Sequence, residues 1–105
     1  MQGEWHNGTN LSGNTRVVAA RDQIFSDLGG EIVILNVASG VYHGLDEVGA
    51  RVWHLIQQPR TVGEIRDAIL TEYEVAPEQC ERDVMTLLQQ LVQAGLANYA
   101  DGAYS

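Results

Sequence analysis

Between Glu31 and Gly49 the chain reads EIVILNVASGVYHGLDEVG, and this stretch narrows the choice of fold more than any other. Ile32 to Leu35 are four consecutive apolar, mostly β-branched residues, a composition that favours a well-buried strand. Gly40 supplies the positive φ that a short hairpin connection needs, which places a tight turn at Ala38-Ser39-Gly40. Val41 to Leu45 then form a second strand, short and mixed, with Tyr42 and His43 beside Gly44. A strand of that kind at a sheet margin leaves N–H and C=O groups unpaired in a row. Asp46 can cap the free N–H groups of a helix that follows.

Around this hairpin the rest of the chain falls into short elements. Residues 1–15 are dominated by Gly, Asn, Thr and Ser and read as an N-terminal arm, with Trp5 and Leu11 its sizeable apolar side chains. Arg16 to Leu28 reads as one strand with an irregular middle at Arg21-Asp22-Gln23. After the hairpin, Val48, Val52, Leu55 and Ile56 give a helix one apolar face, and Pro59 closes it. Thr61-Val62-Gly63-Glu64 has the capping-box form and opens a second helix, with Ile65, Ala68 and Ile69 as its stripe. Pro77 fits the first turn of a third helix, although Ala76 before it is a poor cap. Its stripe runs Cys80, Val84, Leu87, Leu88, Leu91 and Val92, and Gly95 stops it. Leu96 to Tyr99 adds an extended segment before a tail at 100–105. The fold class expected is α+β: a three-stranded antiparallel sheet followed by three helices, winged helix-turn-helix-like, in one domain over residues 16–99.

Charge removes several functions. The 105-residue chain has a formal net charge of -8, with 14 acidic residues against 6 basic ones, all Arg. Such a chain is repelled by nucleic acid and by anionic membranes. A winged-helix DNA-binding regulator is the rival class, yet the third helix starts with Glu78, Glu81 and Asp83 against Arg82, where phosphates would lie. No apolar run approaches a membrane span, and no secretory signal precedes the domain, so the cytoplasm is the expected compartment. The patterns at Asn7 and Asn10 resemble glycosylation acceptors only by chance.

Catalytic groups are sparse. Cys80 is the sole Cys and sits on an apolar stripe, where a small buried hydrophobe is its plainer role than a nucleophile. His6, His43 and His54 show no metal-ligand spacing, and the glycines form no phosphate-binding loop, so neither metal nor cofactor is expected. The residues favour a non-enzymatic module that recognises peptides by strand addition, with the helix beside the margin as second wall of a groove. Asp83, Thr86, Leu87 and Gln90 offer a side of the third helix for this, and plain solvated surface explains them equally well.

The series Gly40-Val41-Tyr42-His43-Gly44-Leu45-Asp46-Glu47-Val48-Gly49, followed by Trp53, resembles the PqqD family and the discrete B1 proteins of lasso-peptide clusters. Pro59-Arg60-Thr61-Val62, Glu64-Ile65, Arg82-Asp83-Val84 and Gly95-Leu96 extend the resemblance over residues 17 to 97. The resemblance implies a recognition domain for ribosomally made, post-translationally modified peptides. Such a domain binds the precursor's leader segment as an added antiparallel strand and delivers it to a modifying enzyme, a radical-SAM protein or a leader peptidase. Carried over by position, the strand contacts fall on Val41, Tyr42, His43, Gly44 and Leu45, whose main chains would form the ladder. The helix contacts fall near Arg82, Asp83, Thr86, Leu87 and Gln90. Leu87 and the Tyr42 ring would line an apolar pocket, and Asp83 would attract basic leader residues. A second copy of the chain is the other expected occupant of the open margin, as a homodimer.

Overall fold

A computed structural model describes residues 13–21 and 23–100. The arm read at 1–15 falls outside the described residues up to residue 12, as do Trp5 and the two acceptor-like patterns. The tail read at 100–105 falls outside them from residue 101. The elements are β1 (Arg16–Ala19), β2 (Ile24–Asp27), β3 (Ile32–Asn36), β4 (Val41–Leu45), α1 (Glu47–Leu55), β5 (Arg60–Thr61), α2 (Val62–Glu72), α3 (Pro77–Gln93) and β6 (Ala97–Tyr99).

The strands form two antiparallel three-stranded sheets, in the orders β2-β3-β4 and β5-β1-β6. The stretch Arg16–Leu28, expected as one strand, is therefore two strands in different sheets. Its polar middle is where the chain passes from one sheet to the other. β1 pairs with β6 through Val17↔Tyr99, Val18↔Asn98 and Ala19↔Ala97, and with β5 through Arg16↔Thr61. The helix-turn-helix outline holds loosely: α2 and α3 follow one another, but this second sheet, with β1 and β6 from the two ends of the described chain and β5 from between α1 and α2, accompanies them.

Local chemistry fixes the helix ends. Asp46 Oδ1 accepts from the Gly49 N–H at 2.9 Å, which caps α1. α1 ends at Leu55, ahead of Pro59. Thr61 and Glu64 form the complete capping box of α2. α3 starts at Pro77 with no side-chain cap from Ala76. It ends in a Schellman turn, in which Leu96 N–H donates to the Leu91 carbonyl at 2.9 Å and Gly95 N–H to Val92 at 3.0 Å. Gly95 lies at φ +78°, and a Cβ there would meet Asn36 Nδ2 at 3.3 Å. Glycine thus suits that site twice over.

The core lies between β3, the three helices and the second sheet, with Ile32, Ile34, Trp53, Ile56, Ile65, Ile69, Leu88 and Leu96 fully buried. Phe25 packs edge-on against Trp53 at 5.6 Å. Asn36 is the one polar side chain among the described buried residues. Its Nδ2 donates to the Ala94 carbonyl at 2.7 Å, and its Oδ1 accepts from Ala38 and Ser39 N–H at 3.0 and 3.2 Å. One amide therefore ties the β3–β4 turn to the end of α3. Arg51 of α1 makes a bidentate ion pair with Glu72 of α2, both contacts 2.8 Å.

Replacing Asn36 by Ala removes three hydrogen bonds and strands the half-buried Ala94 carbonyl. Chemical denaturation should show a loss of about 2 kcal/mol. The Glu72 carboxyl is held below its usual value by the Arg51 hydrogen bond, against a smaller opposing effect of burial. A depressed folded value gives stability that is complete above the unfolded value of ~4.3 and is lost as pH falls through the folded one. The stability difference between the wild type and Glu72→Gln should be constant above about pH 5 and shrink on acidification. A gap independent of pH would contradict the assignment.

Candidate functional site

Two hairpin connections determine which main-chain groups of β4 are free. Leu28 N–H donates to Glu31 O at 2.7 Å across the Gly29-Gly30 loop, so these residues form a closely spaced pair. Alternation from there directs the bonds of Val33 and Leu35 to β2 and those of Ile32, Ile34 and Asn36 to β4. The other connection agrees: Gly40, at φ +74°, donates to Asn36 O at 2.8 Å and closes a four-residue loop. On β4 it follows that Val41, His43 and Leu45 bond inward to β3. Tyr42 and Gly44 present their N–H and C=O groups outward. Among the described residues no strand pairs with that outer side of β4.

Side chains follow the same parity. Val41, His43 and Leu45 stand opposite Asn36, Ile34 and Ile32 and share their inward face. Tyr42 stands opposite Leu35 on the other face and is 69% exposed.

Beside the end of β4 lies a cavity of about 440 Å³. Its β4 side is Gly44 and Leu45. Val48, Gly49 and Val52 of α1 and Ile69 of α2 add apolar walls. Val75, in the α2–α3 connection, and Cys80, Asp83, Val84, Leu87 and Gln90 of α3 complete it. Asp83, Leu87 and Gln90 fall at i, i+4 and i+7, which brings them onto one side of the helix. Gly49 permits the close approach of α1, because a Cβ there would meet Leu45 Cβ at 3.2 Å.

The cavity is apolar with acidic groups at its lining. Asp46 and Asp83 both contribute, and Asp83 accepts from Gln79 Nε2 at 2.9 Å. Tyr73, between α2 and α3, lies outside the cavity lining. Burial first, then the carboxylates of Glu47 and Glu72, push its phenol above the usual value.

Of the ten residues expected from sequence, Gly44, Leu45, Asp83, Leu87 and Gln90 come together around this cavity. Val41 and His43 continue the inward face of β4 beyond it. Arg82 and Thr86 are exposed on α3 and do not line it. Tyr42 and Leu87 lie on opposite sides of the sheet, so the apolar pocket expected between them does not form. That expectation fails because the parity of β4 turns the ring away from α3. Asp46, Val48, Val52, Ile69 and Val75 were missed as lining residues. Val75, 40% exposed in a short polar connection, carried the one sequence signal among them.

The chemistry of the other candidates is muted. Cys80 is buried, and burial above all raises its thiol pKa, which keeps it from being a ready thiolate. His54 pairs with Asp27 at 3.2 Å. Among the described residues no group of three His, Cys, Asp or Glu side chains is placed to hold a metal ion.

Comparison with known proteins gives a consistent set of matches. Residues 31–97 match the family model described as coenzyme PQQ synthesis protein D (PqqD). A solved structure of TbiB1 in complex with the TbiA(beta) leader peptide is 35% identical, with a TM-score of 0.72 over 80% of this chain and 99% of that one. A lasso peptide synthetase B1 complexed with its leader peptide is 22% identical, with a TM-score of 0.69 over 78% and 96% of the two chains. The PqqD truncation of Methylobacterium extorquens PqqCD, a recognition element for ribosomally synthesised and modified peptides, is also 22% identical. Its TM-score is 0.70 over 86% and 96%. No curated protein matches the chain.

Proposed function

This chain belongs to the PqqD family, and from that membership we infer that it binds the leader segment of a ribosomally made precursor peptide and presents it to a modifying enzyme. The observation that carries this reading is the placing of an open strand edge next to an apolar cavity. The leader adds to β4 as an antiparallel strand. The outward groups of Tyr42 and Gly44 supply the ladder, two donors and two acceptors. Val41, His43 and Leu45 contribute side chains to the groove floor, with Asp83, Leu87 and Gln90 as its helical wall. Arg82 and Thr86 would meet only leader residues that rise above the groove.

Magnitudes divide the work between edge and cavity. Four ladder bonds at roughly 1 kcal/mol net each supply about 4 kcal/mol, which corresponds to a Kd of about 1 mM. One large aliphatic side chain fully buried adds roughly 1.5–3 kcal/mol. The cavity is large enough for more than one such group, so micromolar binding requires it. The ladder aligns the leader, and the cavity selects it. Acidic groups at Asp46 and Asp83 favour leader Lys or Arg beside the apolar anchors.

The role is one of binding, not catalysis, and the modifying enzyme is a radical-SAM protein or, in a lasso-type pathway, a leader peptidase. The domain works in the cytoplasm; no helix among the described residues is long and apolar enough to cross a membrane. DNA binding finds no support, since the exposed start of α3 carries Glu78, Glu81 and Asp83.

Titration of the labelled leader of the precursor encoded nearest this gene tests the reading. Gly44→Pro removes an outward donor and should weaken binding about tenfold with the fold retained. His43→Pro removes an inward donor and should unfold the sheet instead. Equal leader affinity in wild type and Gly44→Pro would contradict strand addition. Asp83→Lys should weaken a basic leader severalfold at low salt and less at high salt. An effect independent of salt would remove the electrostatic contribution.

A further inference from the structure

Strand β3 carries a signal that the leader groove does not absorb. Ile32 to Leu35 are uninterrupted apolar residues, the pattern of a strand covered on both faces. Among the described residues the two faces differ: Ile32 and Ile34 are fully buried, whereas Val33 and Leu35 turn to the other side and are only half-buried. The register sets Ile24, Leu35 and Tyr42 in one row across that outer face, with Ser26, Val33 and Gly44 in the next. No charged residue stands in either row. Ile24 is 60% exposed, and at the end of the sheet Leu28 is equally so. An antiparallel sheet that needed only water on this side would alternate apolar with polar residues.

We propose that the outer face of β2-β3-β4, centred on Ile24, Val33, Leu35 and Tyr42, docks the enzyme that processes the bound leader, through a partner surface with an apolar centre and a basic rim. The proposal rests on the leader-binding reading and adds to it the place where the two proteins meet. Size and charge select this occupant. Three strands spaced ~4.8 Å apart and five residues of ~3.3 Å give a patch of about 240 Å². That is well short of the roughly 800 Å² per partner that a stable dimer buries, and suits a transient encounter. A second copy would also bring a second charge of -8 to the contact. An anionic membrane meets the same repulsion and finds no basic residue on the face. A protein with Arg or Lys around an aliphatic centre meets neither obstacle. Glu31, exposed just before β3, supplies an acidic edge for it. The face borders β4, so a leader strand added there extends it, and enzyme and leader come into one surface.

The test uses the full chain, the labelled leader and the purified processing enzyme encoded beside this gene, with Ile24→Glu, Leu28→Glu and the double variant. Both positions lie on the β2 side of the sheet, away from the leader edge, and both are exposed, so leader affinity should stay within twofold. Affinity of the leader-loaded chain for the enzyme should fall at least tenfold in the double variant. Unchanged enzyme affinity with normal leader binding overturns the docking face alone. A wild-type dimer in sedimentation that the double variant splits assigns the face to self-association and overturns it as well. Binding of the wild type to neutral phosphatidylcholine vesicles, lost in the double variant, does so too. A wild type that binds no leader removes the functional reading itself, and this proposal with it.

Discussion

The side-chain amide of Asn36 joins two parts of the molecule that must stay in register for a groove to exist. One end holds the turn between β3 and β4, and the other holds the Ala94 carbonyl at the C-cap of α3. A buried amide stabilises only when its partners are all present, and here both ends are occupied. The Schellman turn at Gly95 brings Ala94 into reach and folds Leu96 into the core, so the helix end, the sheet and β6 meet at one point. The distance between β4 and α3 is thus set at one end by hydrogen bonds. At its other end β4 runs directly into α1, where Asp46 caps the helix and Gly49 leaves room beside Leu45.

Between these fixed ends the groove has two unlike walls. The strand wall offers main-chain groups and no sequence preference of its own. The helix wall, with α1 and the α2–α3 connection behind it, offers shape and charge. Such a division suits a protein that must hold one peptide in one register yet release it to an enzyme, since ladder bonds are individually weak and the anchors are few. The outer face of the same sheet is the natural place for a second protein, because occupation there leaves both walls untouched.

Much of this was legible in the sequence where the cause is local. The Asp46 cap, the Thr61–Glu64 capping box, the Gly40 turn and the Gly95 stop each depend on a few neighbouring residues, and each is where it was expected. The i, i+4, i+7 spacing of Asp83, Leu87 and Gln90 likewise survives the passage to three dimensions. What escaped depends on pairing between distant segments. Periodicity does not say which sheet a strand joins, so from sequence Arg16–Leu28 reads as one strand, and Thr61 of β5 reads only as a helix cap. Nor does composition say which N–H of an edge strand points outward. That follows from hairpin geometry on both sides of β3, which leaves Tyr42 and Gly44 as the residues of β4 whose main-chain groups point outward. The same parity sends the Tyr42 ring to the face opposite Leu87.

Amide hydrogen exchange on the isotope-labelled chain, residue by residue, with and without the leader, addresses the central claim most directly. Tyr42 and Gly44 should exchange fast when the chain is alone and become strongly protected when the leader binds. His43 and Leu45, already bonded to β3, should change little. Saturating leader that leaves the Tyr42 and Gly44 amides as exposed as before would contradict the added strand.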